Sequence, residues 1–434
     1  MEQHSKKYSY IWSESQKNMK ARHLSSYISN IAAGKTGRII VFTGARQTGK
    51  TTLARHLFPD YEYITIEDPV TVGAFLKLTA AQWQKMYPQA ILDEVQKEPV
   101  LIESIKAVYD QWQEPRYVLL GSSQLLLLSK VKESLAGRCV IVEMYPLTLP
   151  ELKTNGLGKK VDPSLFQRFI ADSEHTINVI PSFLLDKEMP EKHEAWNYYM
   201  KFGGYPALTD TTLTDEERYI WLQQYVRTYL ERDVRDLALF RDLEPFVKLQ
   251  RVLATQTGRV INASSLANHT GVSVKTAQRY IHYLEVSYQT LTLPAWSRNK
   301  TKRLMKAPKV HYLDNGVLQA VLHKRGGITG YEFESLVVAE IYKQLNALQI
   351  PAHVHHLRIQ GGREIDLLLE LGEGYVAFEI KMTDKVTKND ARHFTGLEEI
   401  LDKPLIHSFV LSNDPETKHV SPKVTAVHCA LFLG

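Results

Sequence analysis

Arg38-Ile-Ile-Val-Phe-Thr-Gly-Ala-Arg-Gln-Thr-Gly-Lys-Thr-Thr-Leu-Ala54 decides the fold. An apolar, β-branched run reaches Gly44, a loop of the form Gly44-x-x-x-x-Gly49-Lys50-Thr51 follows, and an amphipathic helix begins at its end. Glycines let such a loop wrap closely around phosphates, so that its backbone N–H groups and the helix N-terminus point at the negative charge. In this stretch Gly44, Ala45, Arg46, Gln47, Thr48, Gly49, Lys50, Thr51 and Thr52 form the expected phosphate cradle. Lys50 reaches the β and γ phosphates and the Thr51 hydroxyl meets Mg²⁺, which points to ATP with Mg²⁺. The strand before the loop and the helix after it are the context that separates this reading from a chance match.

Around this stretch, Arg38 to Glu143 alternates short β-branched runs with helical patterns, the signature of an α/β fold with a parallel sheet. A second strand covers Tyr61 to Glu67. A third, Gln89-Ala-Ile-Leu-Asp93-Glu94, puts two carboxylates at the end of an apolar run, where open parallel sheets place their ligands. Asp93 is expected to hold Mg²⁺ through water and Glu94 to orient or deprotonate the water that attacks the γ-phosphate. The fourth strand, Tyr117 to Gly121, ends in Ser122-Ser123-Gln124, with Ser123 placed to sense the γ-phosphate. Arg138, just before the fifth strand, has two readings: a guanidinium supplied to a neighbouring subunit's phosphates, or an ordinary salt bridge.

Charge is unevenly distributed. The whole chain carries +5, yet Phe246 to Lys324 holds twelve Lys and Arg against Glu285 and Asp314, a local balance of +10. Such asymmetry suits either a module that meets a polyanion or a solvated basic face. Within it, Leu266 to Leu284 reads as helix, turn at Gly271, and a second helix capped by Ser273. The second helix would bury Val274, Ala277, Ile281 and Leu284 and expose Lys275, Gln278 and Arg279 with His282, the layout of a recognition helix. Arg298, Lys300, Lys302, Arg303, Lys306 and Lys309 then place six cations in twelve residues, the expected wing of a DNA contact made mainly through phosphates.

Near the C-terminus, Gly361-Gly-Arg-Glu-Ile-Asp366 and Tyr375-Val-Ala-Phe-Glu379-Ile-Lys381 give two neighbouring strands. A period of two sets Glu379 and Lys381 on one face. Asp366 and Glu379 could bind Mg²⁺, Lys381 could position or activate water, and Glu334, on the preceding helix, adds a carboxylate. This set is similar to the PD-(D/E)xK nuclease fold, Holliday-junction resolvases included, either as an active centre or as a fold that has lost its activity. His353, His355 and His356 have no second ligand cluster and read as a polar strand face.

Gly44-Ala-Arg-Gln-Thr-Gly-Lys-Thr-Thr52, Ile91-Leu-Asp-Glu94, Leu120-Gly-Ser-Ser123, Ser134-Leu-Ala-Gly-Arg138, Gly203-Gly-Tyr-Pro206 and Tyr229-Leu-Glu-Arg-Asp-Val234 together resemble an AAA-type ATPase family of bacteria and archaea. The resemblance runs from about Arg38 to Leu411. It implies an additional-strand P-loop core, a helical lid, a winged helix and a nuclease-like C-terminal fold. The expected organisation is a helical arm at 1–37, the AAA core at 38–145, the lid at 146–245, the winged-helix basic module at 246–324 and the nuclease-like domain at 325–434.

The longest apolar runs fall far short of the roughly 20 residues of a membrane-spanning helix. The first 37 residues lack the apolar core of a secretory signal, and the two cysteines are too few for a disulfide framework, so the expectation is a cytoplasmic protein. The function expected is ATP hydrolysis coupled to DNA binding and remodelling or translocation, by a homo-oligomer with a hexamer favoured. The alternative is a nucleotide-gated regulatory or scaffold protein that binds protein partners and cuts nothing.

Overall fold

The computed structural model describes residues 19–121, 131, 133–182, 185–230, 243–299, 301, 303, 306–358 and 363–434. Its first sheet contains β1 (Ile39–Gly44), β2 (Glu62–Thr65), β3 (Gln89–Asp93), β4 (Arg116–Leu120) and β5 (Val140–Met144), all parallel, in the order β2-β3-β4-β1-β5. β4 is the additional strand, inserted between the strand that feeds the loop and the strand that carries Asp93. Apolar side chains on both faces explain why these strands read as continuous hydrophobic runs: Ile39, Val41 and Leu119 pack on one side, and Ile40, Phe42 and Val118 on the other. Helix α1 (Leu24–Ala33) lies against the second face through Leu24 and Ile28.

The second sheet is small and antiparallel, with β6 (Arg259–Val260), β7 (Thr290–Leu293) and β8 (Lys309–Tyr312) in the order β6-β8-β7. Together with α2 (Glu244–Ala254), α3 (Ala263–Thr270) and α4 (Val274–Val286) it follows the order helix, strand, helix, helix, strand, strand. Gly271 in the left-handed region ends α3, and the Ser273 hydroxyl accepts from the Thr276 N–H to start α4, as the sequence suggests.

The third sheet runs β13-β14-β12-β11-β10-β9, from β9 (His353–Arg358), β10 (Glu364–Glu370), β11 (Tyr375–Ile380), β12 (Leu405–Ser412), β13 (Lys418–Ser421) and β14 (Val424–His428). It is mixed: β11, β12 and β14 are parallel to one another, while β9 and β13 close the edges antiparallel to their neighbours. Helix α5 (Gly330–Ala347) covers it.

The packing departs from the expected domain limits. The first half of the stretch read as a lid is part of the C-terminal core: Leu149, Phe166, Phe169, Trp196 and Tyr199 pack with Phe333, Phe378, Phe409 and Phe432. Its second half instead joins Leu222 and Tyr225 to Tyr312, Val317 and Val321. The segments on the two sides of position 324 are also packed together. The connection from β7 to β8 lies along the edge of the third sheet, with Ala295 bridged to His356 and Trp296 N–H donating to the His356 carbonyl at 2.7 Å. Trp296 then buries its ring edge-on against Tyr375 and donates from Nε1 to its hydroxyl at 3.0 Å.

Gly203-Gly204, a motif with no chemistry of its own, gains a reason here. A Cβ on Gly203 would meet the buried Asp314 carboxylate at 2.1 Å, and φ there is +73°. The Gly204 N–H donates to Asp314 at 2.7 Å, tying this turn to the segment after β8.

Candidate nucleotide and carboxylate sites

The loop after β1 has the conformation its glycines permit. Gly49 sits at φ +89° as the residue before the helix Lys50–Leu57, and Gln47 is also left-handed at φ 63°. Lys50 is buried, its ammonium donating to the carbonyls of Gly44 at 2.9 Å and Ala45 at 2.7 Å, and the Thr48 hydroxyl donates to Ala45. Tyr225 donates from its hydroxyl to the Arg46 carbonyl at 3.1 Å, and its oxygen lies 3.0 Å from the Tyr205 hydroxyl, which can donate to it, bracing the loop from the helical segment.

Across from the loop, the Thr51 hydroxyl donates to Asp93 at 2.8 Å, and Tyr63 on β2 donates to the same carboxylate oxygen at 2.7 Å. Burial and the Asp93 charge hold the Tyr63 phenol well above its ordinary range, so it remains a donor. Both partners of Asp93 are neutral hydroxyls. They orient the carboxylate and leave its charge in place, which fits a divalent ion shared by Thr51 and Asp93. Glu94 turns away from the strand with φ 58° and ψ 34°, a left-handed conformation that costs a non-glycine residue on the order of 1 kcal/mol. Gln96 donates to its carboxylate at 2.6 Å and so fixes its direction.

Residues 19–22, within the expected helical arm, help close a cavity beside the loop. Met19, Lys20 and Arg22 face Gln47, Gly49 and Leu53, with Asn155, Leu157 and Thr209 completing the wall. Lys20 donates to Asn155 at 3.0 Å, and Arg22 donates to the Tyr145 carbonyl at 2.6 Å. Size and position suit the nucleoside end of a nucleotide whose phosphates lie on the loop. Neither these walls nor Tyr63 carried a motif that could have revealed them.

Ser123 lies outside the described residues. Arg138 forms a two-point pair with Asp110, at 2.7 and 3.2 Å, on the surface where β5 begins. That is the end of the sheet opposite its own loop, because Gly44 and Met144 pair at the other end. Arg138 therefore does not reach its own nucleotide cavity.

The basic stretch divides. On α4, Lys275, Gln278, Arg279 and His282 are exposed while Ala277, Ile281 and Leu284 are buried, as expected; Val274 is exposed, a correction to the predicted buried face. The predicted wing is also corrected. Arg298 donates to the carbonyls of Leu401 at 3.0 Å and Glu399 at 3.3 Å. Arg303 pairs with Glu370 at 2.7 Å and approaches Asp402. Lys309 is 3% exposed. Lys306 is exposed, and Lys300 and Lys302 lie outside the described residues. Other described residues of this hairpin face inward, where Trp296 meets Tyr375 on β11, Arg298 the carbonyls of the loop after β11, Arg303 Glu370 on β10, and Lys309 Glu334 on α5.

Glu334, Asp366, Glu379 and Lys381 do converge, in a cleft that also contains Glu364 and His393. Lys381 approaches Glu379 at 2.8 Å and Asp366 at 3.7 Å, and His393 Nδ1 lies 2.8 Å from Glu379. The Ile380 N–H donates to Asp366 at 2.8 Å. Burial and the Asp366 charge push the Glu334 and Glu379 carboxyls up. The arrangement does not fit the expected divalent ion: among the described residues no three His, Cys, Asp or Glu side chains are set to hold one, and ammonium groups stand between these carboxylates. His355 and His356 are buried strand residues, His355 lying 3.4 Å from Glu370. No helix among the described residues is long and apolar enough to cross a membrane.

Residues 36–153 match the model of an AAA domain, residues 193–326 that of a domain of unknown function, DUF8612, and residues 329–432 that of another, DUF4143. An uncharacterized protein of Mycobacterium tuberculosis is 27% identical over 80% of this chain and 70% of its own length. One from Methanocaldococcus jannaschii is 24% identical over 64% of this chain and 60% of its own. Among solved structures, the Walker-type ATPase PABY2304 of Pyrococcus abyssi aligns over 68% of this chain and 94% of its own, at 15% identity and a TM-score of 0.39. The AAA match and the loop geometry coincide. The chain carries a P-loop ATPase domain of the AAA type.

Proposed function

We propose that this protein is a cytoplasmic ATPase that couples ATP hydrolysis to binding and remodelling of DNA, or to movement along it, as a homo-oligomer in which a hexamer is favoured. The observation that carries the ATPase half is the Thr51–Asp93 pair facing the loop of Lys50. Lys50 and the loop N–H groups would hold the β and γ phosphates, and Thr51 and Asp93 would hold Mg²⁺. Bound there, Mg²⁺ would neutralise charge on the phosphoryl oxygens. Glu94, held by Gln96, would orient the attacking water, and Arg138 would serve a neighbouring subunit only by leaving its pair with Asp110.

For DNA, support comes from α4. Its exposed Lys275, Gln278 and Arg279 stand on a helix whose other face is packed, in the element order of a winged helix. On the reading that α5 and the third sheet form a PD-(D/E)xK-like frame, supported by the convergence of Glu334, Asp366, Glu379 and Lys381, branched DNA such as a Holliday junction is the substrate to try first. A scaffold reading draws on a different observation: Arg298, Arg303 and Lys309 make contacts within the chain rather than leaving their charge exposed for phosphates.

The two separate in one experiment. ATP turnover is measured with and without duplex and four-way-junction DNA, together with binding at 50 and 200 mM salt. Stimulation with steeply salt-dependent binding is the expected result. Turnover indifferent to DNA, with no binding at low salt, would replace this reading by the scaffold.

A further inference from the structure

Lys309 belongs to the small antiparallel sheet, yet its ammonium lies inside the cleft of the C-terminal sheet. It stands 2.6 Å from Glu364, 2.7 Å from Glu334 and 3.6 Å from Asp366. Its backbone is fixed from both sides, because β8 is the central strand and Lys309 pairs with Val260 on β6 and Leu293 on β7. A lysine buried to this degree is rare unless its charge is matched, and here three carboxylates match it. From the exposed side, Lys381 pairs with the fourth carboxylate, Glu379, and also approaches Asp366. The cleft thus combines acidic side chains of the kind that hold divalent ions with two fixed cations already within contact distance.

We infer that the C-terminal carboxylate cleft is a docking socket for Lys309: the chain supplies its own cation, which locks the small antiparallel sheet onto the C-terminal sheet and keeps Mg²⁺ and Mn²⁺ out. A divalent ion bridging Glu334 and Asp366 would sit within a few ångströms of an ammonium that burial and its pairs with Glu334, Glu364 and Asp366 hold in place. Like-charge repulsion at that range, in a buried site, outweighs what the carboxylates gain from the metal. While Lys309 is seated, the cleft performs no metal-dependent phosphodiester hydrolysis. This inference is independent of whether α4 binds DNA.

The test uses the full chain, without nucleotide, and Mn²⁺ as probe, followed by electron paramagnetic resonance. Wild type and Asp366→Asn are expected to bind the same amount of Mn²⁺, since whatever binds near Thr51 and Asp93 is common to both. Lys309→Met, which keeps most of the side-chain volume, is expected to gain a Mn²⁺ site at least about tenfold tighter than anything Asp366-dependent in wild type. That site should disappear in Lys309→Met/Asp366→Asn, and Mn²⁺ should raise the melting temperature of Lys309→Met but not of wild type. Asp366-dependent Mn²⁺ binding by the wild-type chain would overturn the inference. So would a folded Lys309→Met, with wild-type circular dichroism, that binds no more Mn²⁺ than wild type. Should Lys309→Met fail to fold, the wild-type and Asp366→Asn pair decides alone.

Discussion

Asp93 and Asp366 are both buried aspartates on strands, and their neighbours give them opposite chemistry. Asp93 accepts from two neutral hydroxyls, Thr51 and Tyr63, which aim it without cancelling its charge. Asp366 lies between two ammonium groups, Lys309 and Lys381, which aim it and cancel it together. A carboxylate's capacity for a metal ion therefore depends less on its own position than on whether the groups around it are dipoles or cations.

Substitutions at the nucleotide end should give the largest effects. Lys50→Ala is expected to abolish ATP binding as well as turnover, whereas Glu94→Gln should keep binding and lose about 10²–10³-fold in turnover. Fluorescent-nucleotide binding and phosphate release distinguish the two, and normal hydrolysis by Glu94→Gln would remove Glu94 from its role. At the other end, Lys309→Met should act on stability: taking one partner from a buried ion-pair cluster costs about 3–5 kcal/mol. Chemical denaturation measures this, and a Lys309→Met chain as stable as wild type would mean that the cluster is weakly coupled.

On the surface the contrast between α4 and the docked hairpin can be sharpened. Lys275→Glu and Arg279→Glu together should weaken DNA binding across all sequences and flatten its salt dependence by a slope of about 2. Arg303→Glu should instead lower the melting temperature, because it places like charges beside Glu370. Equal effects on DNA binding from both would return the hairpin to the DNA face.

Acid should separate the two large sheets. His356 on β9, His407 on β12 and His428 on β14 are pushed down to about 4, in each case chiefly by burial. In the unfolded chain these groups titrate near 6.5, so at intermediate pH the unfolded state binds more protons. Their contribution to stability is therefore complete above about pH 6.5 and is lost as the pH falls toward 4. No strand of the β1–β5 sheet carries a histidine. Hydrogen exchange at pH 5 should show the C-terminal sheet loosening before the P-loop sheet, and His407→Gln should reduce the difference.

The smallest effect belongs to Tyr63→Phe. It deletes one of the two donors to Asp93, at a cost of about 0.5–1.5 kcal/mol, read as a higher Mg²⁺ requirement for ATP hydrolysis with little change in nucleotide affinity.

By itself the sequence determined the P-loop, the parallel sheet around it, the two capped helices α3 and α4, and the acidic residues of both sites. Each of these is written in local signals: glycine spacing, β-branched runs, an N-cap serine, and a strand period of two. Tertiary structure alone decided what met them. Tyr63, Lys20 and Arg22 reach the nucleotide site from separate segments, and Lys309 crosses from one sheet to carboxylates on another element and another sheet. A run of cations looks the same in a sequence whether it faces water or acid. Arg298, Arg303 and Lys309 read as a wing because charge is visible along the chain, and they proved to be inward contacts because their partners, on Leu401, Glu370 and Glu334, become neighbours only when β7 and β8 are laid against the C-terminal sheet.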